Sequence, residues 1–531
     1  MFKSNLSCLF GLVLTTSSLI ANAAAQTPTF TNPVLYEDFP DNDVFVGPDD
    51  AYYFSASSFH YSPGAPILKS HDLVNWELIS HSVPRLDFGS GYDLAPETRT
   101  YRGGIWASTM RYRQSNGLWY WLGCTNFWNN WIYSAPNATG PWTRLAYLGG
   151  GNCYYDTGML IDDDDVMYVV YGNPNVRIAQ LASDAKSEVK STSVLNATDV
   201  GVDAIEGNRL YKINGTYYIL NDHPGDTTYV WKSMSGSIWG PYESKVLVKN
   251  VKPPIEGGSS PHQGSLVRTG NGDWYYMSFT WAYPAGRLPV LAPITWGPDG
   301  FPTFVNGSNG GWGASYPLPL PAKQTPPWTG TYRFNYSTLP PQFEWNHDPD
   351  ISKFSVDNGL TLSTASVTSD LYQARNTLTH RTHGEFPTAT VQLDISELAE
   401  GDRTGLAAFR DRSAYIGIHR SNGTNTIIAA FNATIDEFSG ATLDNGTIVA
   451  SIPVPSDTRI LWVRTNLDAR PNGSKAAEFF YSMDGRRWEQ LGGTYELYTG
   501  WAFFLGYRFA VFNYATVALG GQIRIKEWTV A

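Results

Sequence analysis

Cysteine is scarce in this sequence, with three among 531 residues. Cys8 lies in an N-terminal apolar segment, so Cys124 and Cys153 remain, which allows at most one disulfide. Paired in an oxidising compartment or buried as two free thiols, both states are open for them. A basic excess is also missing. Lys and Arg total 37 against 48 Asp and Glu, a net charge of −11, which excludes a polyanion such as nucleic acid as partner and suits a neutral ligand. No long run of like charge marks a disordered tail. Beyond the N-terminus no apolar stretch approaches the ~20 residues of a membrane span. No helical period stands out in the C-terminal two-fifths.

What is abundant points to strands. The chain has 19 Trp and 32 Tyr beside 50 Gly and 33 Pro, residues that suit half-buried strands and the tight turns between them. The first residues read as a secretory leader over 1–25. Lys3 supplies the charge, Leu9 to Leu14 the apolar centre, and Ala21-Asn22-Ala23-Ala24-Ala25 the small-residue cleavage site. The mature chain is expected to begin near Gln26 and to be secreted. N-x-S/T sequons recurring from Asn137 to Asn472 agree with a glycosylated extracellular protein.

A repeat runs through the first half. A polar turn and paired aromatics recur as Asp50-Ala51-Tyr52-Tyr53, Gly117-Leu118-Trp119-Tyr120, Asp165-Val166-Met167-Tyr168, Gly215-Thr216-Tyr217-Tyr218 and Asp273-Trp274-Tyr275-Tyr276. Alternating apolar runs flank each, a hairpin signature. A period of roughly 50–65 residues with about four short strands each predicts propeller blades, here five, over 26–305. Residues 306–330 are rich in Gly, Pro, Ser and Asn and read as an extended linker. From 331 to 531 apolar and polar residues alternate, as in Ile460-Leu461-Trp462-Val463, which predicts a two-sheet sandwich. The fold class is all-β.

The first strand of each blade lines a propeller's channel. Eleven to thirteen residues before each aromatic pair stand Asp41, Trp106, Asp156, Glu206 and His262. Three blades thus bring a carboxylate to one place. Gathered acids repel one another and are costly to ionise, which sets neighbouring carboxyls to different pKa values. Cleavage of a glycosidic bond uses such a pair, one protonated and one ionised. The rival reading, turn-capping acids at blade entrances, suits a single Asp better than three at one register. Asp43 is on the same strand face as Asp41 and could share its role. The run Asp162 to Asp165 sits at a hairpin turn and reads as solvated.

These segments resemble glycoside hydrolase family 43, whose members share a five-bladed propeller and three acidic residues. Asn32-Pro33-Val34-Leu35 through Phe39-Pro40-Asp41-Asn42-Asp43-Val44 resembles its first-blade motif, Tyr155-Asp156-Thr157-Gly158 and Ile205-Glu206-Gly207-Asn208-Arg209 its third and fourth, and Gly104-Ile105-Trp106-Ala107 its second. Gly286-Arg287-Leu288-Pro289 and Pro293-Ile294-Thr295-Trp296 resemble the motifs of the fifth blade, and the region around Ala374-Arg375-Asn376-Thr377-Leu378 a concanavalin-A-like sandwich. Asn42-Asp43, Thr157 and Asn208 depart from the usual pattern. The resemblance implies an inverting enzyme with Asp41 as general base, Glu206 as general acid and Asp156 as tuner of the acid. It makes Trp106, Arg287 and His262 candidates for sugar contacts, and His262 a candidate to hold a structural calcium, although calcium prefers oxygen ligands. The chemistry itself needs no cofactor. The expected substrate is a plant cell-wall polysaccharide, with α-L-arabinofuranosidase action on arabinoxylan first, β-xylosidase action on xylooligosaccharides second, and a non-catalytic carbohydrate-binding propeller as a different class. A monomer is expected, with no membrane partner.

Overall fold

The computed structural model describes residues 1, 27–95, 98–148 and 153–531. Apart from Met1, the predicted leader and Gln26 lie outside the described residues. Among those described, regular structure is strand apart from four short 3-10 turns.

Five four-stranded antiparallel sheets follow one another in sequence. Their innermost strands are Asp43–Val46, Ile105–Arg113, Gly158–Ile161, Glu206–Ile213 and His262–Arg268. Each runs into the next strand through one of the repeated turns. In blade four, Ile213 pairs with Thr216 across Asn214-Gly215, both at positive φ, the two-residue turn that matches strand twist. The paired aromatics follow from burial on both faces. Successive side chains point to opposite sides of a strand. Tyr52 therefore joins the core shared with blade five, whereas Tyr53 joins Trp119 and Trp121 between blades one and two. Tyr120 faces the next interface, with Met159 and Val169.

The ring is closed by the two ends of this region. Thr29–Thr31 pairs with Ser315–Pro317. The Asn32 side-chain amide donates to the carbonyls of Leu291 and Gly313, both at 2.9 Å, and accepts from the Leu291 N–H at 2.8 Å. The Asn-Pro segment is thus a clasp on blade five. Residues 306–330 are docked along the propeller: Trp312 is fully buried, Leu318, Leu320 and Trp328 pack on the same core, and the Lys323 N–H donates to Asp72.

The C-terminal region forms two packed sheets, one of nine strands and one of eight. Strand Ile460–Leu467 alternates half-buried and buried, with Leu461, Val463 and Leu467 in the core. The eight-stranded sheet has an unexpected member. Tyr61–Ser62, from blade one, pairs with Phe343–Asn346 at its edge. The sandwich is therefore stitched to the propeller by main-chain hydrogen bonds.

Candidate active site

Inner strands of three blades carry the same irregularity. Ile105, Glu206 and His262 each pair with the neighbouring strand, and the register then slips by one residue before Ser108, Arg209 and Ser265. Such bulges redirect a side chain. The residue after the pair turns left-handed at Gly207 (φ 67°) and Gln263 (φ 51°), the conformation that Asp41 (φ 58°) and Asp156 (φ 49°) also adopt. Outside glycine this region is tolerated best by Asn and Asp. Asp41, Asp156, Gly207 and Gln263 are thus equivalent, and Glu206 and His262 stand one position earlier. Gln263 rather than His262 occupies the axial position in blade five, with its Nε2 3.4 Å from Asp156 Oδ2.

The structure brings the three predicted carboxyls together. Asp41 accepts from Arg287 Nη1 and Ser57 Oγ, each at 2.6 Å. Asp156 Oδ2 accepts from the Gly207 N–H at 2.9 Å. Glu206 Oε2 accepts from Tyr155 OH at 3.2 Å and Asn173 Nδ2 at 3.3 Å. Burial, with the charge of Asp41 added, raises the Glu206 pKa to about 7 against the pull of Tyr155, Arg287 and Asn173. Burial and then the charges of Glu206 and Asp41 push Asp156 far above the usual carboxylate range. One acid tends to hold its proton while a neighbouring carboxyl is served by donors, the arrangement that acid–base cleavage requires.

Asp43 is a brace. It accepts from Arg111 Nη1 at 2.6 Å, Thr109 Oγ1 at 2.7 Å and the Met110 N–H at 3.1 Å, with Arg209 3.4 Å away. Burial pushes it up, but Arg111 and Arg209 outweigh burial and hold it low. The candidates beyond the acids divide. Arg287 is buried against Asp41 and sits over the Phe279 ring. Trp106 packs 4.4 Å from Phe127, 5.1 Å from Phe59 and 5.5 Å from Phe504, and Phe127 in turn lines the cleft beside the acids. His262 lies between Phe279 and Trp281, with Nδ1 3.0 Å from the Ser260 carbonyl, and burial lowers its pKa to about 4. That setting offers no set of oxygen donors. Among the described residues no cluster of three or more His, Cys, Asp or Glu is arranged to hold a metal.

Several participants escaped the sequence reading. Asp222, paired with Glu206 in register, is fully buried, and neither carboxyl oxygen has a partner. Burial and then Glu206, Asp156 and Asp41 hold its pKa far above normal. Gly207 makes room for it, since a Cβ there would lie 2.3 Å from Asp222 Oδ1. Arg209, fully buried, donates to the carbonyls of Asp41, Asn42, Thr157 and Asn208 and so ties three blades behind the acids. Phe504 comes from the sandwich. It stacks on Phe59 (6.1 Å, 2°), and its carbonyl accepts from Arg287 Nε at 3.1 Å. Only Arg209 lay within a quoted motif.

Beside the acids opens a cleft of about 1020 Å³, lined by Phe127, Trp128, Tyr147, Tyr154, Tyr155 and Asn173. Cys153 also borders it and is disulfide-bonded to Cys124, which anchors the segment leading to Tyr155 and Asp156.

Comparison with known proteins agrees with this geometry. The profile described as glycosyl hydrolases family 43 matches residues 30–302, and that of the beta xylosidase C-terminal concanavalin A-like domain matches 331–526. A beta-xylosidase of Formosa agariphila is 26% identical over 94% of this chain and 90% of its own length. A non-reducing end alpha-L-arabinofuranosidase of Bacteroides ovatus is 29% identical over 53% of this chain and 55% of its own. A solved structure has 41% identity and a TM-score of 0.91, covering 95% of this chain and 100% of that one. It is described as a GH43 glycoside hydrolase engineered in its active site to display both endo-xylanase and exo-arabinofuranosidase activity.

Proposed function

Because the chain belongs to glycosyl hydrolase family 43, we propose that this glycosidase removes terminal α-L-arabinofuranosyl residues from arabinoxylan by a single displacement with inversion. Asp41 draws a proton from water, which attacks the anomeric carbon. Glu206 protonates the departing oxygen; burial and the charge of Asp41 keep that proton on Glu206 until it is needed, and Asp156, by accepting the Gly207 N–H, orients the acid's backbone. The observation that carries the substrate reading is where the open space lies. Tyr155 and Asn173 both bond the acid and line the cleft, so the leaving group is directed there. At about 1020 Å³ that cleft stands at the upper end of the ~300–1,000 Å³ of small-ligand pockets, which leaves room for an extended leaving group. On the other side Phe59, Trp106 and Phe504 pack as an aromatic cluster beside Arg287, which bonds Asp41.

A second reading, β-xylosidase, is supported by the name of the Formosa relative, which matches along nearly the full chain. Secretion fits either reading, since a Cys124–Cys153 bridge belongs to an oxidising compartment. Incubation with arabinoxylan, xylobiose and arabinan, with identification of the released sugar, separates the readings. Arabinose from arabinoxylan supports the proposal; xylose alone rejects it. Proton NMR of the first-formed anomer tests inversion.

A further inference from the structure

Asp38 is a buried carboxyl that the acid–base scheme leaves unused. It lies three residues before Asp41 and is 4% exposed. Its Oδ1 accepts the backbone N–H of Arg287 at 2.8 Å, and its Oδ2 the backbone N–H of Gly506 at 3.0 Å. Arg287 belongs to blade five and Gly506 to the sandwich, so one carboxyl holds both. Its own carbonyl accepts from Arg381 Nε, also of the sandwich, at 3.1 Å. The seat is shaped for it. A Cβ on Gly286 would lie 2.4 Å from Asp38 Oδ1, and one on Gly506 would lie 1.9 Å from the Ala285 carbonyl. Burial pushes the Asp38 pKa up, while the Arg287 N–H and guanidinium, the Gly506 N–H and Arg381 pull against it.

The two held segments meet again at the site. Arg287 Nε reaches the Phe504 carbonyl, two residues before Gly506, and Arg287 Nη1 reaches Asp41. A closed loop results: Asp38 fixes the main chains of Arg287 and Gly506, Phe504 orients the guanidinium, and the guanidinium holds Asp41. We propose that Asp38 is a positioning residue that makes the sandwich part of the base side of the active site, by clamping the Phe504 segment and Arg287 in one geometry. It touches neither sugar nor water. It acts through Arg287, and the proposal rests on Arg287 serving Asp41 in hydrolysis, whichever pentose is released.

The test uses the full-length enzyme and whichever pentoside the wild type cleaves, so a wrong substrate assignment leaves it intact. Asp38→Asn conserves size but sets an amide N–H₂ against an N–H donor. Small misplacements of catalytic groups cost about 10²-fold. The expected result is a fall in kcat of that order with KM within about threefold, because an interaction realised in the transition state is lost. Phe504→Ala instead is expected to raise KM mainly. In an Arg287→Met background, Asp38→Asn is expected to cost nothing further. If the Asn variant fails to fold, Asp38→Glu carries the same prediction, because it keeps the charge and both acceptor oxygens but displaces them from the Arg287 and Gly506 N–H groups. A kcat within twofold of wild type in the folded variant, or losses that multiply in the double mutant, overturns the proposal.

Discussion

Glu206 is half-buried and Glu344 fully buried, and their surroundings are opposite. Glu206, one position before the axial register, shares its space with Asp41, Asp156 and Asp222, and the guanidinium that acts on it, that of Arg287, is bonded to Asp41. Glu344, at the junction with the sandwich, accepts from Arg381 Nη1 at 2.7 Å and Arg508 Nη1 at 2.5 Å, and lies 2.8 Å from His81 Nε2. Burial pushes Glu344 up, but Arg381, Arg508 and His81 outweigh it and hold its pKa well below normal. Glu206 is raised to about 7. Burial alone therefore says little about a carboxyl's role. A surplus of cations marks a fixed structural charge, and a surplus of acids marks a group kept ready to give up a proton.

Four measurements would break or sharpen that contrast. The largest effect is expected in the acid cluster: Glu206→Gln and Asp41→Asn should each lower kcat by about 10²–10⁴-fold, with circular dichroism unchanged. If either variant keeps wild-type turnover, the acid–base assignment fails. Next, Glu344→Gln should leave two buried arginines undercompensated and cost about 3–5 kcal/mol in urea unfolding. A cost below ~1 kcal/mol would make this junction no different from a surface ion pair.

The third measurement uses pH. A raised pKa means that the folded state holds a proton the unfolded chain releases, so stability from Glu206 is present below its ordinary value of 4.5 and is lost as pH rises through about 7. Glu344 has the opposite sign: its contribution is present above 4.5 and lost as pH falls. Glu206→Gln should thus unfold later than wild type at pH 8, by on the order of 3 kcal/mol, and match it near pH 4. Equal melting curves at pH 8 would contradict the raised pKa. Smallest of all, Asp222→Asn replaces a carboxyl that burial keeps neutral with its nearest neutral analogue. Turnover at pH 5 should stay within a few-fold of wild type and stability within about 1 kcal/mol. A hundredfold loss would show that Asp222 works as a charged group.

The sequence made the propeller legible because each blade announces itself locally. The Asn214-Gly215 turn and the Tyr52-Tyr53 pair are short-range signals whose physical causes, positive φ and burial on both faces, lie within a few residues. Asp41, Asp156 and Glu206 could be found by counting back from those turns. The one-residue slip at His262 and Gln263 could not, because a bulge leaves the apolar pattern around it unchanged. Asp38, Asp222 and Phe504 were hidden for another reason. Their partners are 249 residues away for Asp38, on a second strand for Asp222, and in the other domain for Phe504. Residues 306–330 looked like a tether by composition, and only the buried Trp312 shows that they form part of the wall.

The pairing of Tyr61–Ser62 with Phe343–Asn346 bears on how such proteins can be inherited and recombined. Two residues coded early in the gene complete a sheet coded late. A shuffling event that exchanged the sandwich for an unrelated module would leave that edge with open hydrogen-bonding groups, an invitation to wrong partners. It would also strip Phe504 from Phe59 and Arg287. A designer who cuts at residue 330 separates the two partners of one sheet edge and parts Phe504 from Arg287.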